Sequence, residues 1–465
     1  MPTRRLDLPA IITSLALVPL AGAGTTDWNV GPGGNSARDC RSAWNGPATP
    51  ELLWSGSLSA IVSQQAVIDG DTVFAARIQS FTIPTGTTIV AHDLDTGRLR
   101  WTTQLPSLGG DEWRSRVSGA RDGRVYATRA GNTNLAPMYA LSGTTGGILW
   151  TSEDLVDEST TEGVAFASDG DLIVGNFDAI LRIDGATGAT VWSTPRSCPT
   201  TNGCLVSVFG ERGYYWEASP TGPRVTSIDL VTGAVIATTG GIGGGFIEQL
   251  GVFVGPDGTI YAPRSQNNPV SDFLVAISDT GDALVEKWSV PIGYMPFATM
   301  GVGPDGSVYT YETGIEAAAG TDLFRVLRLD PLDGSVIDQS EVLPYDVVLS
   351  ARMAIDASGR IFLTNGGFST GRLFSFDADL TLRWTEVVTG VNVGGPALGA
   401  DGTLIVCGTG TNVRAYRAAD ACPADLDGSG GVGPEDLASL LSDWGRCPGC
   451  ASDLDGDGTV GPADL

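Results

Sequence analysis

Lys287 is the only lysine and His92 the only histidine in 465 residues. The chain is short of basic groups altogether: 27 Lys and Arg face 53 Asp and Glu, a formal charge of −26. A phosphate backbone needs a basic face, so nucleic acid is excluded as a partner. The scarcity of imidazole narrows catalysis as well, since a Ser-His-Asp or Cys-His constellation would have to use His92. That residue sits at an alternating strand position where sister repeats carry Tyr139-Ala140 and Leu181-Arg182, which reads as a structural place. No two of the seven cysteines are adjacent, and beyond the N-terminal segment no apolar run is long enough to span a membrane. Gly240-Gly-Ile-Gly-Gly-Gly245 lacks the strand–loop–helix setting of a phosphate cradle and reads as a loop.

What is present starts with a targeting segment. Arg4 and Arg5 precede an apolar run from Leu8 to Leu20, and Ala21-Gly22-Ala23 closes it with an A-x-A pattern. Residues 1–23 read as a signal peptide cleaved near Ala23, and the mature chain as secreted, periplasmic or held at the cell surface. No Cys follows in a lipobox position, which argues against a lipid anchor. In an exported chain the cysteines are expected to pair. Cys198 and Cys204 bracket a short loop. Cys422 and Cys450 each lie three residues before an acidic loop and are expected to join, as are Cys40 and Cys407. Cys447-Pro-Gly-Cys450 has no partner pair for zinc and reads as a disulfide element.

Two interleaved repeats dominate the rest. The first is Asp93-Leu-Asp-Thr-Gly-Arg-Leu-Arg-Trp101, which returns as Ser142-Gly-Thr-Thr-Gly-Gly-Ile-Leu-Trp150 and Asp184-Gly-Ala-Thr-Gly-Ala-Thr-Val-Trp192. Later copies drift: Ala237 and Asp338 stand where Trp is expected, Trp288 comes two residues late, and Trp384 one early. The second is Asp-Gly before a β-rich run, at Asp69, Asp122, Asp169, Asp257, Asp305 and Asp401, with Ser358-Gly and a degenerate Glu211-Arg-Gly as further copies. Asp-Gly before such a run is hairpin chemistry. The spacing of roughly 40 to 55 residues is that of a four-stranded propeller blade. The 64 glycines suit many tight turns.

After Asp401-Gly402 the last repeat supplies only one more strand, around Asn412 to Arg417. Near the start, Glu51-Leu-Leu-Trp54-Ser-Gly-Ser-Leu58 looks like an orphan outer strand with its Trp. Pairing the two would close the ring and remove two open sheet edges. The expectation is an all-β fold: an eight-bladed β-propeller of four-stranded antiparallel blades over residues 28–418, followed by a small α-helical calcium-loop module over 422–465.

The Asp93-to-Trp101 repeat and the lead-in Gly33-Gly-Asn-Ser-Ala-Arg38 resemble the pyrroloquinoline-quinone (PQQ) dehydrogenase-like propellers. The resemblance implies the propeller fold across most of the chain. The dehydrogenases of that group add a pair of adjacent cysteines beside the cofactor. The chain has none, nor a segment that aligns with their calcium-ligand and catalytic-Asp positions, which argues against bound PQQ.

The strongest chemical signal is C-terminal. Asp425-Leu-Asp427-Gly-Ser429-Gly-Gly431-Val-Gly-Pro-Glu-Asp436 fits a twelve-residue calcium loop, with side-chain oxygens at positions 1, 3, 5 and 12 and the Gly431 carbonyl at 7. Asp453, Asp455, Asp457, Thr459 and Asp464 repeat those places, so two calcium sites are expected. Between the loops, Leu437, Leu440, Leu441 and Trp444 line one helical face from Pro434 to Trp444, with Gly445 as cap. A loop followed by one helix, repeated, resembles a type I dockerin. That resemblance implies attachment to a cohesin-type partner through the helix face. The chain ends at Leu465, before a second helix, and the second repeat reads as truncated.

Three functions are compatible with these observations. The leading one is an exported, non-catalytic binding or scaffold propeller, with an unspecified ligand on a propeller face, attached through a calcium-binding dockerin-like module to a cohesin-type protein. A PQQ-dependent dehydrogenase is the second, and would need an Asp, an Arg and a calcium site in a central funnel. A carbohydrate-active or carbohydrate-binding component of a polysaccharide-degrading assembly is the third, from the company dockerins keep.

Overall fold

The computed structural model describes residues 28–31, 33–57, 61–62, 65–78, 87–107, 115–130, 134–157, 163–198, 205–242, 246–247, 251–265, 272–292, 300–312, 325–344, 351–366, 371–388, 394–408, 412–417, 424, 426, 432–447, 450, 452–454 and 458–464. Eight antiparallel sheets follow one another along the chain as blades 1 to 8, starting near residues 61, 116, 165, 206, 246, 301, 352 and 395. Each runs from a buried first strand to an exposed fourth. In blades 1 and 5 the first strand is broken into two pieces that share one partner. Blade 8 supplies only three strands of its own, and Leu52–Ser57 adds the fourth beside Asn412–Tyr416, with Trp54 opposite Ala415. The first strand of blade 1 touches those of blades 2 and 8, so the ring is closed.

The Thr-Gly turn explains how blades adhere. In the first copy Asp93 Oδ1 accepts the Thr96 amide (2.9 Å) and hydroxyl (2.8 Å), an Asx-type anchor repeated by Asp184 on Thr187 and Asp229 on Thr232. The following Gly takes a left-handed φ, +68° at Gly97 and +71° at Gly146. Each Trp lies against the turn of the next blade. Trp101 donates its indole N–H to Gly143 O (2.7 Å), Trp150 to Gly185 O, Trp192 to Leu230 O and Trp288 to Pro331 O. A Cβ on the turn glycine would meet that indole at 2.5 Å for Gly97 under Trp54 and at 2.5 Å for Gly146 under Trp101. The glycine is therefore needed twice, for its φ and for the space the ring occupies.

Where the Trp is replaced, its seat changes accordingly. Ala237 of blade 4 leaves open space around the facing Gly281, and Arg212 and Tyr214 reach that turn instead, on Asp279 Oδ2 at 2.8 and 2.9 Å. Blade 6 carries Asp338, and the facing turn of blade 7 is a residue shorter, with Leu380 in the left-handed position (φ +64°). There Tyr309 bonds Ala378 O at 2.8 Å. Blade 8 lacks its own third-to-fourth-strand turn, so Trp384 of blade 7 donates to Ala48 O, in the segment leading to the closing strand.

That N-terminal segment forms a girdle over one end of the ring. Trp28 O accepts Ile68 N of blade 1, Asn29 O accepts Ala120 N of blade 2, and Ser36 Oγ and Ser36 O accept Phe166 N of blade 3 and Val208 N of blade 4. Ala37 O then takes Val254 N of blade 5, Asp39 O takes Val302 N of blade 6, and Cys40 O takes Ile355 N of blade 7. Gly46 fits between Phe362 and Leu398 of blades 7 and 8. The segment visits all eight blades in chain order before joining blade 8 as its outer strand. Two of its non-glycine residues, Arg38 and Cys40, hold φ of +59°. Such geometry costs about 1–2 kcal/mol per residue and persists because every neighbour defines it.

The cysteines partly depart from expectation. Cys447 and Cys450 form a disulfide, with Cα atoms 5.7 Å apart, so the expected Cys422–Cys450 pair is not formed. The tight turn in which Cys450 N bonds Cys447 O brings the two together, and symmetry between the loops counts for less than that proximity. Cys407 is a buried free thiol, so the expected Cys40–Cys407 bridge is also absent; burial pushes its thiol up to about 12. Cys204 and Cys422 lie outside the described residues.

Candidate functional site: the girdled face and the C-terminal loops

Between the girdle and the inner turns of blades 2 to 5 opens a cavity of about 370 Å³. The girdle contributes Asn35, Asp39 and Arg41, blade 2 contributes Arg121, and Phe166 and Phe209 come from blades 3 and 4. Asn35 donates to Asp39 Oδ1 at 2.7 Å and Arg41 N donates to the same oxygen at 3.0 Å. Burial pushes the Asp39 carboxyl above its usual range, against the lowering pull of Arg41 and Asn35. Arg121 spans blades 2 and 3 by donating to Ala167 O and Ser168 O (2.9 and 3.0 Å), and its guanidinium lies 5.7 Å from the centre of the Phe166 ring. Arg41 is different. Its guanidinium donates no hydrogen bond to any described residue, and its one charge contact is Asp39 Oδ2 at 3.5 Å. The repeats do not point to these residues, because each wall comes from a different blade. The one local signal is the polar run Asn35-x-x-x-Asp39-x-Arg41 in a segment without strand alternation.

His92 is buried beneath the closing strand. Its Nδ1 lies 2.9 Å from Gly97 O and its ring stacks near Trp54, with centroids 6.4 Å apart. Burial, with Arg77 adding repulsion, keeps its pKa below the usual value.

In the C-terminal module, Asp425, Asp427, Ser429, Gly431, Asp455 and Asp457 lie outside the described residues. Those that are described fit a cation loop. Asp436 is buried at the start of helix α1 (Pro434–Ser442), where its Oδ2 accepts Gly433 N at 2.6 Å. Asp464 closes the second loop, accepting Leu454 N and Gly461 N at 2.7 Å each. Asp453 Oδ2 accepts Gly458 N at 2.8 Å, while its Oδ1 is buried with no partner. A buried carboxylate oxygen without a donor suits a cation at that position. Thr459 lies in a two-residue ribbon with Arg446. Helix α1 ends at Ser442, two residues before the expected Trp444. Leu437, Leu441 and Trp444 are exposed and only Leu440 of the apolar face is buried.

A family model described as outer membrane protein assembly factor BamB matches residues 23–155 and 138–342. The chain belongs to this family. Among solved structures, BamB from Moraxella catarrhalis superposes with a TM-score of 0.54 at 15% identity, over 79% of this chain and all of that one. A quinohemoprotein alcohol dehydrogenase, ADHIIG from Pseudomonas putida HK5, gives 0.55 at 11% identity over 84% of this chain and 80% of its own. The C-terminal WD40 domain of Sif2 gives 0.56 at 10% identity over 80% and 99%. At such identities the likeness is of fold, shared by the BamB family with enzymes and with WD40 rings alike. No curated protein matches by sequence. Among the described residues no helix is long and apolar enough to cross a membrane.

Proposed function

We propose that the chain is an exported, non-catalytic binding propeller, attached to a cohesin-type partner through the calcium-binding module at 422–465. Its single histidine supports the non-catalytic reading, since His92 is taken up in packing the closing strand and the first Thr-Gly turn. Arg4, Arg5 and the apolar run to Ala23 support export. The observation that carries attachment is the exposed pair Leu437 and Leu441 on the helix that Asp436 of the first loop caps, with exposed Trp444 two residues past its end. Calcium would be held by Asp425, Asp427, Ser429, the Gly431 carbonyl and Asp436 in the first loop. Asp453, Asp455, Asp457, the Thr459 carbonyl and Asp464 would hold it in the second. Bound there, it would neutralise the loop carboxylates and steady the helix that follows the first loop.

Calorimetric titration of the full chain with calcium tests this. Uptake is expected, with the first-loop component lost in the Asp425→Ala/Asp427→Ala variant and the second in Asp453→Ala. Calcium-dependent retention on an immobilised cohesin should disappear with chelator and with Leu437→Asp. Absence of calcium uptake at millimolar concentration would overturn the attachment reading.

A further inference from the structure

The cavity under the girdle has a chemistry that the attachment module does not explain. Arg41 lines it, and its guanidinium spends no donor on a described residue, its charge contact being Asp39 Oδ2 at 3.5 Å. Arg121, a quarter exposed, adds a second cation beside the Phe166 ring. Trp28, Val208 and Val254 continue the lining as apolar surface. A guanidinium with open donors matches a carboxylate in geometry and charge. The apolar walls ask for a hydrocarbon or aromatic body behind it, and a volume near 370 Å³ is that of a small-molecule site. The formal charge of −26 disfavours polyanions, so burial of the apolar body has to drive entry and a single carboxylate has to orient it.

We infer that this cavity binds an organic monocarboxylate with an apolar or aromatic body, its carboxylate on Arg41 and its body against Phe166, Phe209 and Val208. The inference rests on the binding-propeller reading and is independent of the calcium module, whose titration is read separately.

Calorimetry on the full chain tests it with 3-phenylpropionate, octanoate and N-acetylphenylalanine, each beside a neutral counterpart (3-phenylpropanol, octanol and N-acetylphenylalanine amide). At least one acid should bind, and its neutral counterpart about tenfold or more weaker, the size expected for losing a charged hydrogen bond. Arg41→Gln should cause a similar loss and Arg41→Lys a smaller one. Ala43→Trp, placed at an exposed point of the rim, should block acid and neutral probe together. Preference for N-acetylphenylalanine would identify a chain-terminal carboxylate as the source, and preference for the simple acids a free small molecule. The inference falls if no acid binds up to about 10 mM. It falls equally if neutral probes bind as well as the acids, or if Arg41→Gln with an unchanged melting curve binds like the parent.

Discussion

At the scale of single residues the turn glycine and the Trp of the preceding blade are one device, although they lie some 40 residues apart, as Gly146 and Trp101 do. Truncating Trp101 to Ala removes a buried aromatic and one indole hydrogen bond, and should cost about 3–5 kcal/mol of stability in chemical denaturation. Ala237→Trp asks the opposite, because the space over Gly281 is open. Filling it should raise stability by about 0.5–2 kcal/mol, and a lower denaturation midpoint would show that Arg212 and Tyr214 already own the contact. His92 carries a pH signature. Its folded pKa lies below the usual 6.5, so folding favours the neutral ring. That contribution is complete above pH 6.5 and shrinks as pH falls below it, where the unfolded chain takes up the proton first. His92→Gln should flatten the stability profile as pH falls below about 6.5. It should leave untouched the acid limb at lower pH. That limb belongs to carboxylates such as Asp93, held near 2 by Arg100 and Thr96, whose stabilisation is lost as pH drops from about 4 toward 2.

Elements differ in how far the sequence foretells them. Asp-Gly and Thr-Gly turns mark hairpins because a left-handed residue in a two-strand connection leaves few alternatives. The closing strand at Trp54 is legible for the same reason, since it carries the outer-strand signature without the rest of a blade. The girdle is not legible. Its hydrogen bonds are spread over the inner strands of seven blades, so it has neither alternation nor turn spacing, and only Gly33-Gly34-Asn35-Ser36-Ala37-Arg38 hints at a special path. The cavity inherits that obscurity, being assembled from the girdle and short stretches of four separate blades. The cysteine at 450 shows another limit: in-register loops pointed to Cys422, whereas a four-residue turn brings Cys447 into reach. Deleting residues 28–46 would leave inner-strand amides of seven blades, Ile68, Ala120, Phe166, Val208, Val254, Val302 and Ile355, without their acceptors. The expected outcome is loss of a single cooperative melting transition while far-ultraviolet β signal persists, because blades retain their own ladders.

For the molecule as a whole, the girdle sets a timetable. Residues 28–57 leave the ribosome before any blade is complete, yet their last partners, Leu398 and Asn412–Tyr416, are made some 360 residues later. Contacts so distant in sequence are slow to form, and no blade before the eighth can complete the ring. The nascent chain therefore waits, with the first blade's inner edge and the closing strand both unclaimed, until the final hairpin is available. Closure then engages the girdle at both ends of the sequence at once, which makes the finished ring a product of the complete propeller chain and not of any shorter run of blades.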